Sequence, residues 1–149
     1  MRSVALLAVA AAAMAFPSLP LYAQDACSLV TVAQVSAVAG GPMHQAPGPV
    51  STTGCAWGGD ANTPKRNISI SVRPSSEYNA VKSRLGAMLV PVAALGDSAF
   101  FFPTKHNNVV LYLLKGAHVF MVTVSVSSST LEQNESAEKT LANDMLAHL

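Results

Sequence analysis

Four histidines, His44, His106, His118 and His148, are the first residues of this chain whose chemistry could define a function. A protein metal centre needs three or four converging ligands held by hydrogen-bonded neighbours. These four show neither a His-x-x-x-His nor a His-Glu-x-x-His spacing, so the expectation is isolated or satisfied histidines, with no metal and no cofactor. Serine is plentiful, at Ser51, Ser69, Ser71, Ser75, Ser76, Ser98, Ser125 and Ser127 to Ser129, yet no Gly-x-Ser-x-Gly elbow presents one as a nucleophile. The carboxylates Asp25, Asp60, Glu77, Asp97, Glu132, Glu135, Glu138 and Asp144 mostly fall in turns, at helix starts or on what reads as a solvated helix face. Asp97 stands out because it follows Gly96 in a turn, where an aspartate bonding its own backbone is a commoner role than a general base. No catalytic residue is therefore expected. The remaining chemistry is recognition, with Trp57 and the run Phe100, Phe101 and Phe102 as the candidate surface. Neighbouring residues of a strand point to opposite faces, so at least one of these phenylalanines should leave the main core. Core packing is nevertheless the usual fate of such rings.

The elements that must position these residues begin after an N-terminal segment that reads as an export signal. Arg2 is a minimal basic region, Val4 to Phe16 is a short Ala-rich apolar run, and Leu21-Tyr22-Ala23 ends in a small residue suited to cleavage after Ala23. The run is too short for a bilayer span of roughly 20 residues, and Pro17 and Pro20 keep it from extending further along the chain. Gln24-Asp25-Ala26 before Cys27 is a poor lipobox, so Cys27 reads as a structural thiol. The expected mature chain is 149 − 23 = 126 residues, one domain at residues 24–149, periplasmic or secreted, with no membrane span after cleavage. Its basic residues fall from 9 to 8 against 8 acidic ones, a net charge near zero that excludes an electrostatic nucleic-acid surface. Cys27 and Cys55 are its only cysteines, and an isolated pair in an exported protein is most simply one disulfide.

The strongest pattern in the mature chain runs from Asn108 to Val126, two apolar β-rich stretches around Gly116. An even-length turn would place Val109, Leu111 and Leu113 on one face with Phe120, Val122 and Val124. Val110, Tyr112, Leu114, Val119 and Met121 would lie on the other, giving a hairpin covered on both sides over much of its length. Upstream, Ser28 to Gly41 reads as a helix with a capping box at Thr31 and Gln34, and Pro42 to Gly54 as a loop. Cys55-Ala56-Trp57 enters a strand that pairs, through a polar turn, with the alternating Asn67 to Arg73. A second helix starts at Pro74-Ser75-Ser76-Glu77 with a serine cap, carries Tyr78, Val81, Leu85 and Met88 or Leu89 at helical spacing, and is brought to an end by Gly86 and Pro91. Pro91 to Gly96 reads as a connector and Ser98 to Phe102 as a strand. The final helix has a capping box at Thr130 and Gln133 and a buried stripe of Leu141, Ala142, Met145, Leu146 and Leu149. The expected fold is α+β, a single antiparallel sheet of about five strands with helices packed on it.

Cys27-Ser28-Leu29-Val30-Thr31 before the first helix, Cys55-Ala56-Trp57, and Leu95-Gly96-Asp97-Ser98-Ala99-Phe100 together resemble a family of small exported bacterial proteins, mostly uncharacterised. Its relatives include actinobacterial cell-envelope lipoproteins. The likeness covers nearly all of the mature chain and implies a PsbP-like α+β sandwich, but it brings no catalytic residue. Three functional classes are expected from these readings. The first is a non-catalytic binding module for an envelope protein or an apolar small ligand. The others are an inhibitor or immunity-type protein against an exported enzyme, and a hydrolase with an unrecognised site.

Overall fold

The computed structural model describes residues 25–47, 53–60, 65–104 and 108–149. The expected export signal and cleavage site, along with Ser51 and His106, lie outside the described residues. Among the described residues three α-helices, α1 (Val32–Ala39), α2 (Ser75–Leu85) and α3 (Leu131–Leu146), accompany one sheet. Its strands are β1 (Met43–Gln45), β2 (Gly54–Gly59), β3 (Arg66–Pro74), β4 (Val90–Val92), β5 (Ser98–Pro103), β6 (Val109–Lys115) and β7 (His118–Val126). They lie in the order β1-β2-β3-β7-β6-β5-β4, every neighbouring pair antiparallel.

The sheet thus has seven strands where about five were expected. The additional two, β1 and β4, are three-residue strands at its two edges, in stretches read as loop and connector. Both carry proline, Pro42 just before β1 and Pro91 inside β4, which masks the strand signal. A short edge strand tolerates proline because its missing N–H can face away from the ladder, and such an edge resists pairing with other chains.

The β6–β7 hairpin closes through the two-residue turn Gly116-Ala117, with Gly116 at φ +58° and Lys115 opposite His118. The even loop puts Leu111 across from Val122 and Leu113 across from Phe120, so the two faces divide as the alternation predicts. β7 is the middle strand, pairing with β3 along its whole length from Pro74↔His118 to Arg66↔Val126.

One face of the sheet carries the main core. Ile68, Ile70, Leu111, Leu113, Val122 and Val124, all fully buried, meet Val35 and Ala39 of α1 and Leu141, Ala142 and Met145 of α3. Both of these helices open with the capping box expected of them. Thr31 Oγ1 accepts from Gln34 N at 3.2 Å, and Thr130 Oγ1 accepts from Gln133 N at 3.3 Å. In return the glutamine Oε1 atoms accept from the backbone amides of Thr31 and Thr130, each at 2.8 Å. Two otherwise orphaned donors are satisfied at each helix start.

The opposite face is covered by α2 alone among the described elements, over a smaller cluster of Tyr78, Phe100 and Val119. The Tyr78 ring lies tilted against Phe100 with centroids 5.0 Å apart, and its hydroxyl donates to Ser98 Oγ at 2.7 Å. The serine cap expected for α2 is replaced by Pro74 at the N-cap, with no side-chain cap hydrogen bond; Glu77 does supply an acidic first turn. Proline serves there because its fixed φ suits the entry into a helix.

The disulfide joins Cys27 to Cys55, with a Cα–Cα distance of 5.0 Å. It fastens the 3-10 turn Ala26–Ser28 to β2, and seats Ala26, Leu29 and Val30 in the main core. This bond fits an oxidising, extracellular environment. No helix among the described residues is long and apolar enough to cross a membrane.

Candidate functional site

Three of the four aromatic residues expected to form a recognition surface lie in the interior. Trp57, Phe100 and Phe101 each retain 2 % exposure, and only Phe102 is half-buried. Alternation does send Phe100 and Phe101 to opposite faces, but this part of the sheet is covered on both. Phe101 enters the main core, and Phe100 is enclosed by Tyr78 of α2 and by Tyr112, whose ring stacks at 5.0 Å. Leaving the main core here means entering the second core, and no exposed aromatic patch results.

The histidines are scattered. His44 is exposed on β1, its Nε2 3.1 Å from Asp60 Oδ1. His118 is buried at the hairpin end of β7, on the main-core side, with its ring 6.4 Å from that of Phe120. His148 is exposed near the last residue. No group of three His, Cys, Asp or Glu residues among those described is placed to hold a metal ion.

Asp97 has a structural partner, although not its own backbone. Its Oδ2 accepts from the Gly116 N–H at 2.7 Å and its Oδ1 from Lys115 Nζ at 3.3 Å, while its own N–H donates to Leu114 O at 2.9 Å. The Gly116 amide, then Lys115, holds its carboxyl below the ordinary carboxylate range. Asp97 therefore clamps the turn before β5 onto the β6–β7 turn. Gly96 makes the close approach possible: a Cβ there would sit 2.3 Å from Leu113 Cδ1 and 2.6 Å from Leu114 O.

A groove of about 410 Å³ runs between α1 and α3, lined by Gln34, Ala37, Val38, Gln133, Ser136, Ala137, Thr140 and Asp144. Its two glutamines are engaged in the capping boxes, and Asp144 is its one titratable side chain. It offers no acid–base pair.

The polar residue that sequence reasoning misplaced is Glu138. Grouped with the solvated carboxylates of α3, it is fully buried, and Asn134, one turn earlier, retains only 3 % exposure. Both belong to the stripe that continues through Leu141, Ala142 and Met145, so helical spacing backward from Leu141 was the available signal. Burial pushes the Glu138 carboxyl up to about 8, opposed by the backbone amides of Val124 and Leu111 and assisted by Glu135.

The remaining surface of note is the part of the sheet that α2 leaves uncovered. It is built from alternate residues of three adjacent strands: Gly54, Ala56 and Gly58 on β2, Asn67, Ser69 and Ser71 on β3, and Met121, Thr123 and Ser125 on β7. Ala56, Ser69 and Thr123 form one cross-strand row, and Gly54, Ser71 and Met121 the next. These residues are half-buried, apart from the exposed Asn67, as expected of small side chains flanked by neighbours on a sheet. None of them carries a charge. The charged groups lie at the margins, with Arg73 at the far end of β3 and the His44–Asp60 pair at the β1 edge.

Comparison with protein-family models, with curated proteins and with solved structures gives no match.

Proposed function

We propose that this chain is an exported, non-catalytic binding module of the bacterial envelope, and that it engages a protein partner through the uncovered β2–β3–β7 face. The observation that carries the reading is the asymmetry of the sheet. One face is closed by α1 and α3, whereas α2 covers the other only toward the β6–β7 hairpin end, over parts of β3, β5, β6 and β7. The open part is a floor of Gly, Ala, Ser, Thr and Asn, with Met121 beside them, that lets another backbone come close and offers hydroxyl and amide groups to it. With no charge in its centre, the floor suits an uncharged, hydrogen-bonding protein surface better than an acidic or basic one. The disulfide supports work outside the cytoplasm. The resemblance of Cys27 to Thr31, Cys55 to Trp57 and Leu95 to Phe100 to small exported bacterial proteins is the ground for proposing a PsbP-like sandwich.

The test compares capture from envelope extract by the unaltered protein, by the double variant Ser69→Arg with Thr123→Arg, and by the control Ser136→Arg in the α1–α3 groove. One stoichiometric partner held by the first and third and lost by the second supports the reading. Equal capture by the sheet-face variant overturns the assigned surface. Turnover of a defined substrate that disappears in Asp97→Ala or His118→Ala overturns the non-catalytic assignment.

A further inference from the structure

The β6–β7 ladder ends before its strands do. Direct pairing runs from Lys115↔His118 to Leu111↔Val122. Beyond it, Val109 and Val110 stay paired to β5, and Thr123 to Val126 stay paired to β3. The sheet therefore divides between β6 and β7 at this end, and Glu138 of α3 reaches the division. Its Oε1 accepts from the Val124 N–H at 2.9 Å, a donor that the departing β6 leaves without a ladder carbonyl. The Leu111 amide, on the facing strand, stabilises the same carboxyl. Yet Oε2, also buried, meets no hydrogen-bond partner of acceptable geometry.

We infer that Glu138 is a proton-held latch: as the neutral acid it keeps α3 seated over the division between β6 and β7, and ionisation shifts this end of the molecule toward an opened arrangement. A carboxylate here would leave a charged oxygen unpartnered in an apolar interior. No cation among the described residues is placed to neutralise it. On α3, Glu135 adds like charge, and the Lys139 Nζ lies over the Phe101 ring at 5.3 Å from its centroid. α1 has no titratable residue. On β6 and β7, Lys115 and His118 are paired at the opposite, hairpin end, and Tyr112 is on the other face of the sheet. Burial of the carboxyl, rather than any ion pair, accordingly decides its protonation and favours the neutral acid at pH 7.

Opening that exposes Glu138 returns it to its ordinary acidity, so opening is least favoured below the unfolded pKa and gains as pH rises through the folded one. The experiment is amide hydrogen exchange on the full chain from pH 5 to 9, corrected for the intrinsic pH dependence, reading Val124 and Leu141 against Ile70. Protection at Val124 and Leu141 is expected to fall by about 70-fold between pH 5 and pH 7 and to level off above pH 8, with Ile70 much less affected. In Glu138→Gln the protection should be flat across the range. Flat profiles in the unaltered protein, or an unchanged pH dependence in Glu138→Gln, would overturn the latch. Should that variant fail to fold, carbon-labelled glutamate in the unaltered protein decides: a Glu138 carboxyl titrating with the exposed glutamates rejects it, and one titrating near neutral pH or above supports it.

Discussion

Two neighbouring positions, Ala94 at φ +57° and Gly96 at φ +58°, should respond to substitution with opposite signs. Both lie in the turn between β4 and β5, and both adopt the left-handed conformation that costs a residue with a Cβ about 1–2 kcal/mol. At Gly96 the added carbon of Gly96→Ala meets Leu113 Cδ1 at 2.3 Å and the Leu114 carbonyl oxygen at 2.6 Å. The leucine tip can rotate away. The carbonyl belongs to β6 and accepts the Asp97 N–H, so it cannot move without loosening the clamp on Gly116. An overlap of that kind adds about 1–3 kcal/mol, and the reduced freedom of the unfolded chain returns about 0.4–1 kcal/mol. The net expectation for Gly96→Ala is a loss of about 3 kcal/mol, or a melting point lower by about 10 °C for a domain of this size. Ala94→Gly should instead gain about 0.5 kcal/mol, the relieved strain slightly exceeding the added freedom of the unfolded chain. Urea titration followed by the fluorescence of the single tryptophan, Trp57, is suited to both because that ring is buried in the main core. The reasoning fails if Gly96→Ala unfolds within about 0.5 kcal/mol of the unaltered protein at an unchanged slope, or if Ala94→Gly is the more damaging of the two.

The stability of Glu138→Gln should exceed that of the unaltered protein at pH 7 by about 3 kcal/mol, because the folded value near 8 lies above the ordinary 4.5 and ionisation of the unfolded chain is favoured. The gain should vanish below pH 4.5 and stop growing above about pH 8; equal stability at pH 7 would contradict the buried, uncompensated carboxyl. Replacing Cys27 and Cys55 together by Ala, across a sequence separation of 28, should cost about 3.6 kcal/mol on the chain-entropy account, read by chemical denaturation against the oxidised protein. Val122→Asp puts an unpaired charge between Ile70 and Leu111 on the middle strand and should cost at least about 3 kcal/mol, so an unchanged melting curve would remove β7 from the centre.

What could be read from the sequence was whatever repeats with a period. Alternation fixed the β6–β7 register because one slipped residue would expose Leu111, Leu113, Phe120 and Val122 together. Thr31 with Gln34, and Thr130 with Gln133, announced two helix starts because a capping box is a local contact between residues three apart. The edge strands escaped because three residues beside or around a proline are too few to show alternation. Asp97 was legible as a turn aspartate, but its acceptor role toward Gly116 depends on a hairpin distant in the chain. Glu138 was hidden by its type. A carboxylate in a helix with a polar face is ordinarily solvated, and only the division between β6 and β7 gives this one an interior partner.

These placements share a cause that also bears on function. Where regular pairing stops, a backbone N–H must find another acceptor or remain unsatisfied. Asp97 meets that demand at Gly116, Glu138 meets it at Val124, and Gln34 and Gln133 meet it at the starts of α1 and α3. In a chain whose charged residues are only 11 % of the total, these engagements take up polar side chains that sequence alone would leave available for chemistry. Asp97 is drawn toward a fixed anion and Glu138 toward a neutral acid, and they serve different ends of the β6–β7 hairpin. Acid–base chemistry requires such groups to converge on one reacting atom. The hydroxyl and amide groups of Ser69, Ser71, Thr123, Ser125 and Asn67 are differently disposed, side by side on the part of the sheet face that the described helices leave open. A lattice of small neutral hydrogen-bonding groups is poor at moving protons and well suited to meeting another surface, which is the physical ground of the binding role proposed above.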